Sequence, residues 1–323
     1  VLVIKLGALG DFIHAFHAFA AIRAHHAGQH IALLTSPPFE DIARMAPWFN
    51  EVLLDPRPQW WRLGAVRKTV QTISRFAFVY DLQTSHRSSR YFRLAGRPPW
   101  SGIAPGCSHP HANPDRDYMH TLERQREQLR FAGLSAWPVP DRSWLINRGQ
   151  THDLGEPYAL LMPGGAGGST GARKRWPAKR YGQLARVLTS DGLTPVVIGG
   201  PNEVELAQTI REACPEAIDL TKQTSIADIA ALGARATLVL GNDTGPVHLA
   251  AAVGAPTVAL FSSIGIPNQA APRGPNGEWV RVLHIGNLED LAVETVIEAM
   301  RAVYPPAQIA ADTPRSMVTP REP

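Results

Sequence analysis

Three short segments of the 323-residue chain hold residue types that can do chemistry. The first is Gly7-Ala8-Leu9-Gly10-Asp11, where an apolar stretch gives way to a loop. Glycines between a strand and a helix let backbone approach a ligand at the helix N-terminus. Asp11 follows the loop, where a lone acid at a helix start can simply be a cap. The second runs from Pro163 to Pro177 and reads PGGAGGSTGARKRWP. Small residues, the hydroxyls of Ser169 and Thr170 and the cations Arg173, Lys174 and Arg175 suit phosphate; a plain surface loop is the alternative. The spacing GxxxxGK[ST] is absent, so this is not a Walker A loop. The third is Gly241-Asn-Asp-Thr-Gly-Pro-Val-His-Leu249. Here a strand ends, a tight turn follows and Pro246 falls in the first turn of a helix. The free N–H groups there and the Thr244 hydroxyl make an anion site at a strand's C-terminal edge, or else a well-capped helix.

Other candidates have less behind them. Asp115-Arg-Asp117 is a DxD of the kind that can hold a metal, but it lies in a loop rich in Pro, His and Asn. His109, His111 and His120 sit outside any metal-ligand spacing, so no metal is expected. The first loop has only two glycines, and the second strand ends at Thr35 without an acid for a ribose. A GxGxxG dinucleotide site is therefore not expected. No GxSxG points to a serine hydrolase.

The elements that must position these residues alternate strand and helix. Val1–Lys5 reads as a buried strand, and a helix is expected from Asp11 to Ala27. Strands follow at His30–Thr35, Glu51–Leu54 and Phe76–Leu82, with a short helix at Phe39–Met45 and an amphipathic one at Trp61–Ser74. Residues 98–118 read as loop, His120–Ala132 as helix and Pro138–Gly155 as a polar linker. The pattern then restarts with strands at Tyr158–Met162, Thr194–Ile198, Ile218–Leu220, Leu238–Leu240 and Thr257–Phe261. Helices are expected at Ala178–Ser190, Glu203–Ala213, Ile226–Ala234, Pro246–Val253 and Leu288–Val303. Such alternation predicts parallel sheets covered on both faces. Length and the restart give two α/β domains, 1–150 and 151–304, facing each other across a cleft. The proline-rich stretch 305–323 is expected to be a disordered tail.

Hydrophobic residues make up 44% and charged residues 19%, as in an ordinary globular chain. Two cysteines, Cys107 and Cys214, cannot build a disulfide framework, which suits a reducing compartment. No apolar run is long enough to span a bilayer, and Val1–Asp11 does not read as a signal peptide. The net charge is +4, yet the segment Arg57–Arg97 alone carries +8, from eight Arg and one Lys against Asp81. It includes Trp60 and Trp61. Arg beside Trp suits a phosphate-rich or membrane-interface partner; the alternative is a solvated basic face. No helix-turn-helix, zinc-finger or RNP-like pattern supports nucleic acid.

Six stretches in order over about 300 residues resemble the heptosyltransferases of glycosyltransferase family 9: LVIKLGALGDFIH, DLQTSHR, KRWPAKRYGQLA, VVIGGPNEVELA, LTKQTSIADIAAL and VLGNDTGPVHLAAAVGAPTVALF. The resemblance implies a GT-B fold of two Rossmann-like domains, with an ADP-activated heptose held by the C-terminal one. It implies inverting transfer, without metal or other cofactor, to the anionic lipid-linked inner core of lipopolysaccharide at the cytoplasmic face of the inner membrane. By motif position Asp11 would be the general base, and Lys174, with Ser169 and Thr170 upstream, would meet the diphosphate. Asp243, Thr244 and Gly245 would hold the donor, Glu203 the ribose, and Thr224 would lie near the adenine. Gly10, Arg87 and Arg90 fall on the acceptor side. After Phe261 the family continues with Gly, Thr, Asp and Pro, whereas this chain has Ser-Ser-Ile-Gly-Ile-Pro. A transferase with another donor or acceptor, and a non-catalytic nucleotide-sugar-binding protein, are the competing readings.

Overall fold

The computed structural model describes residues 1–150, 152–165, 173–275 and 279–304. Its frame is two sheets of six strands, every described pair parallel. The first contains β1 (Leu2–Ile4), β2 (Ala32–Thr35), β3 (Glu51–Leu54), β4 (Val79–Asp81), β5 (Trp100–Gly102) and β6 (His109–Pro110) in the order β3-β2-β1-β4-β5-β6. The second contains β7 (Tyr158–Met162), β8 (Thr194–Val197), β9 (Ile218–Asp219), β10 (Leu238–Asn242), β11 (Thr257–Phe261) and β12 (Val280–His284) in the order β12-β11-β10-β7-β8-β9. β1, β7, β10 and β11 are buried along their whole length, which is why they read as mainly apolar runs. In each sheet the strand order reverses beside the first strand of that half. Ligands of open α/β sheets bind at the C-terminal edge of such a switch point.

The first loop leads into α1 (Leu9–His14), and α2 (Phe16–His25) follows directly. The single helix expected from Asp11 to Ala27 is therefore two. The Ala15 N–H donates back to the Phe12 carbonyl at 3.1 Å, a tightened turn that interrupts the helix. α3 (Glu40–Met45) and α4 (Leu63–Ile73) match expectation within two residues, and α6 (Thr121–Phe131) does so within one. α5 (His86–Leu94) was not anticipated, because its sequence HRSSRYFRL is polar with few apolar anchors. It starts on Ser85, whose hydroxyl accepts from the Ser88 N–H at 3.2 Å. The stretch 98–118 is not all loop either, since β5 and β6 lie in it; at three and two residues they are too short to show a period.

The stretch 138–155 carries α7 (Ser143–Ile146), with Leu145 fully buried. α8 (Ala178–Ser190) occupies the expected residues. α9 (Val204–Ala213), α10 (Ile226–Arg235), α11 (Gly245–Ala252), α12 (Pro267–Ala270) and α13 (Val293–Val303) complete the helices used below. α7 packs on α10, and α1 on α11. One apolar cluster joins Phe12, Phe16 and Trp48 to Leu145, Tyr158, Leu232 and Val247, so the halves share a core. Residues 305–323, expected as a tail, lie outside the described residues.

Candidate active site

A cleft of about 760 Å³ runs between the facing sheet edges. β1 delivers the chain to it through Lys5, Leu6 and Gly7. Gly7 has φ +123°, and a β-carbon there would collide with the Phe39 ring, so only glycine fits. Gln83, from the stretch after β4, accepts from the Leu6 N–H at 2.8 Å and ties the loop down. Asp11 is the third residue of α1 and lines the cleft. It is not the residue before the helix: its carboxylate reaches back to accept from the Ala8 N–H at 3.3 Å. Capping and exposure to the cleft are thus combined in one side chain.

α11 closes the opposite wall. The Gly10 backbone lies against the His248 ring, where an added β-carbon would stand 2.9 Å away. Gly245 meets Leu9 in the same way, at 2.6 Å. His248 Nε2 lies 3.3 Å from Asp243 Oδ1, and Lys174 Nζ lies 2.7 Å from Asp243 Oδ2. Burial pushes the Asp243 carboxyl up, but the hydrogen bonds and charge of His248 and Lys174 outweigh it and hold it below the usual carboxylate range. Asp243 is therefore an anion with a cation already seated on it.

Asn242 organises the backbone behind this pair. It is fully buried, accepts from the Trp176 N–H at 3.0 Å and the Tyr181 hydroxyl at 3.2 Å, and donates to the Pro163 and Gly164 carbonyls at 2.8 and 2.9 Å. Both ends of the segment from Pro163 to Pro177 are thereby fixed to the end of β10. Ser169 and Thr170 fall in its centre, outside the described residues.

Glu203 stands on the far side of the cleft, just after Gly199 and Gly200. Its carboxylate accepts from the Gly200 N–H at 2.8 Å and lies 3.4 Å from Arg175 Nη2. A β-carbon on Gly199 would come within 2.5 Å of it, so the turn needs glycine there. Thr224 and Lys222 line the same side. The cleft therefore brings together Gly10, Asp11, Lys174, Glu203, Thr224, Asp243, Thr244 and Gly245.

Arg87 and Arg90 stand apart from this lining. Their guanidinium carbons lie 4.7 and 4.3 Å from the Trp60 ring centre, a double cation–π stack. Arg87 also donates to the Tyr91 hydroxyl at 2.9 Å, and that hydroxyl donates to Asp55 at 2.8 Å. Asp115 and Asp117 are not in the cleft; Asp117 is exposed and pairs with Arg116 at 3.3 Å. His109 packs on Phe78, and His111 pairs with Glu127 at 2.8 Å. Among the described residues no three His, Cys, Asp or Glu side chains converge as a metal site.

Two ionisable groups near Asp11, one lining the cleft and one buried, escaped sequence reasoning. His14, one helical turn after Asp11, lines the cleft with its ring edge-on to His248 (4.9 Å between centres) and to His120 (5.2 Å). Burial, with His248 and His120 beside it, holds its pKa well below the ordinary imidazole value. The i, i+3 spacing from Asp11 was the available signal. Lys5 is nearly buried and donates to the Leu82 carbonyl at 3.3 Å. Burial lowers its pKa, while the Asp11 and Asp81 carboxylates pull it back up. A lysine inside an apolar strand was the signal there. Asp81 itself is fully buried, and burial raises its pKa to about 6 despite hydrogen bonds from Ser88, Thr84 and Gln83.

Two facing Rossmann-like sheets with a cleft between their C-terminal edges form the GT-B architecture, a glycosyltransferase fold. The family model described as glycosyltransferase family 9 (heptosyltransferase) matches residues 65–300, and the chain belongs to that family. It is similar to lipopolysaccharide heptosyltransferase 1 of Pseudomonas aeruginosa, 27% identical over 283 residues, covering 81% of this chain and 78% of that protein. Lipooligosaccharide heptosyltransferase 2 of Haemophilus influenzae is 31% identical over 140 residues; that match spans 42% of this chain and only 39% of that protein. In fold the chain resembles the solved structure of E. coli heptosyltransferase WaaC with ADP, at TM-score 0.74 and 21% identity, covering 94% of this chain and 99% of that one.

Proposed function

We propose that this glycosyltransferase moves heptose from ADP-heptose to the inner core of lipopolysaccharide, with inversion and without a metal. Residues 1–150 form the acceptor lobe and 151–304 the donor lobe. The observation that carries the reading is the placement of Asp11 on one wall of the cleft and the Lys174–Asp243 pair on the other.

An acceptor hydroxyl oxygen attacks the anomeric carbon of the donor and gives its proton to Asp11. The bond from that carbon to the diphosphate oxygen breaks, and the diphosphate leaves with the bonding electrons. Negative charge grows on the leaving group. Lys174 and the N–H groups opening α11 at Thr244 and Gly245 stabilise it in a partly desolvated site. Ser169 and Thr170 add hydroxyl donors from the same segment. Glu203 accepts from the ribose hydroxyls and Thr224 borders the adenine. Gly10 leaves room for the acceptor sugar. Arg87 and Arg90 meet its anionic groups, with the enzyme in peripheral contact with the cytoplasmic face of the inner membrane.

The direct test is release of ADP when the purified protein is given ADP-heptose and heptose-deficient core lipid. ADP release that depends on the lipid supports the reading. Release from another nucleotide sugar only would leave the fold and overturn the donor. Tight ADP binding with no release in any combination would favour a nucleotide-sugar-binding protein.

A further inference from the structure

We propose that Lys5 is a positioning residue for the transfer: its buried ammonium, near Asp11, keeps that carboxylate free of a proton when the anionic donor arrives. Lys5 is the only charged side chain that precedes Asp11 in the sequence. It follows directly on β1 and is 4% exposed. Among the described residues its hydrogen bond is a long one, from Nζ to the Leu82 carbonyl at 3.3 Å. A buried ammonium with a single neutral partner is costly unless carboxylates lie close. Burial works against the charge here; Asp11 supports it most and Asp81 next, while Arg124 and Arg116 oppose it. Asp81 pairs with Ile4 in the neighbouring strand β4, and its Oδ2 is buried without a hydrogen-bond partner. The cation therefore stands between a carboxylate of the cleft and a carboxylate of the core.

The chemistry gives this cation its task. Asp11 must be unprotonated to take the proton of the acceptor hydroxyl. The donor, however, brings a diphosphate into a cleft where Asp243 is already an anion. Each added negative charge favours a proton on a nearby carboxylate. Lys174 offsets this on the donor wall, 2.7 Å from Asp243. Lys5 does so on the wall that carries Asp11. A fixed charge acts more strongly as water leaves the site. The coupling is also mutual: whatever free energy Lys5 contributes to the charge of Asp11, Asp11 contributes to the charge of Lys5.

Other charged and titratable groups surround the pair. His14 on α1 feels the Lys5 charge; burial, with His248 and His120 beside it, holds its pKa low, so the ring is neutral at pH 7. The adjoining α6 brings Arg124 and, at its cap, His120. The adjoining α11 brings His248, which faces Asp243. Arg57 donates to the Leu6 carbonyl, next to Lys5 in the chain. An arginine charge does not change over the working pH range. Asp81 does titrate there, at about 6, so the test must separate it from Asp11. The inference rests on the reading of Asp11 as proton acceptor; the coupling of the two charges can be measured without turnover.

Two measurements on the full chain test it. The first is turnover against pH. Lys5→Met is expected to move the acid limb of kcat up by about one pH unit. The limb of kcat/KM should move less, because only kcat reports the enzyme with the diphosphate in place. Lys5→Arg keeps the charge and should stay near the wild-type profile. Asp81→Asn keeps an oxygen for the Gln83 and Thr84 N–H groups and should retain an acid limb. The second measurement follows the carbon-13 shift of Lys5 Cε against pH in wild type and in Asp11→Asn, which should fold. Loss of the Asp11 charge is expected to lower the Lys5 midpoint by about one pH unit. An acid limb that stays in place in Lys5→Met, or moves equally in Lys5→Arg, would overturn the proposal. So would loss of the limb in Asp81→Asn, a Lys5 already uncharged at pH 7 in wild type, or a Lys5 midpoint indifferent to Asp11→Asn. If Lys5→Met does not fold, the Lys5 midpoint decides alone. Full turnover by Asp11→Asn would instead sink the proton-acceptor reading, with the midpoint shift still present.

Discussion

Lys174 Nζ sits 2.7 Å from Asp243 Oδ2, and the far oxygen of that carboxylate lies 3.3 Å from His248. The cation is held in place by an anion before any ligand arrives, so little rearrangement is needed when a diphosphate enters. Lys174→Ala should leave the fold intact and lower turnover by about 10²–10³, the usual effect of removing a group that stabilises developing charge. Steady-state kinetics should show the loss in kcat more than in KM. A variant with normal kcat would remove Lys174 from the leaving-group role.

Glu203 would have two tasks if it also holds the ribose, since it already accepts from the Gly200 N–H at 2.8 Å. Glu203→Ala is expected to weaken ADP binding by about 1–3 kcal/mol, the cost of losing a charged hydrogen bond. Glu203→Gln keeps an acceptor for Gly200 and should lose less. Calorimetric titration with ADP separates the two variants. Equal and unchanged affinities would place the ribose elsewhere.

Asp11→Asn keeps the size and an oxygen that can accept from Ala8, so the end of α1 should survive. The melting temperature and ADP affinity should match wild type, while turnover falls at least ~10²-fold, as for loss of a general base. Full activity in this variant would leave Asp11 as a cap.

Acid should destabilise the protein through its buried imidazoles. Burial, then the Arg142 guanidinium beside it, lowers the pKa of His17 to about 4, and His14 is held low as well. The unfolded chain takes up these protons near pH 6.5, while the native state resists them until about pH 4 for His17. The native advantage is complete above pH 6.5 and is lost as pH falls toward 4. With allowance for solvent around the partly exposed ring, His17 should account for about 1–2 kcal/mol of that loss. Melting temperatures measured from pH 7 down to pH 4.5 should fall, and fall less steeply for His17→Phe, which can keep the stack on Trp137.

The long, strongly patterned elements were legible from sequence. α8 lies at the expected residues, and β7, β10 and β11 are apolar runs because both their faces are covered. The elements that escaped had weak local signals. β12 alternates as VRVLH at a half-exposed sheet edge, and α5 is mostly charge and hydroxyl. The glycine and acid positions of the cleft were visible because turns at strand ends demand those residue types. His14, Lys5 and the four hydrogen bonds of Asn242 were not, since each depends on what the other half of the chain brings against it.

The glycine-faced contact of α1 with α11 brings the two halves closest together beside the cleft. A rotation of one lobe on the other about Gly10, Leu9, Gly245 and His248 moves each atom in proportion to its distance from that line. Asp11, one residue from Gly10, barely shifts. A side chain about 10 Å away sweeps close to 2 Å for a turn of about 10°. Other fastenings join the halves as well: His120 to the Ala271 carbonyl at 2.9 Å, Thr121 to the Gln269 carbonyl at 3.0 Å, and the Glu123–Arg273 ion pair. Any such turn would therefore leave Asp11 and the Thr244–Gly245 turn in mutual alignment while the outer parts of the cleft change width.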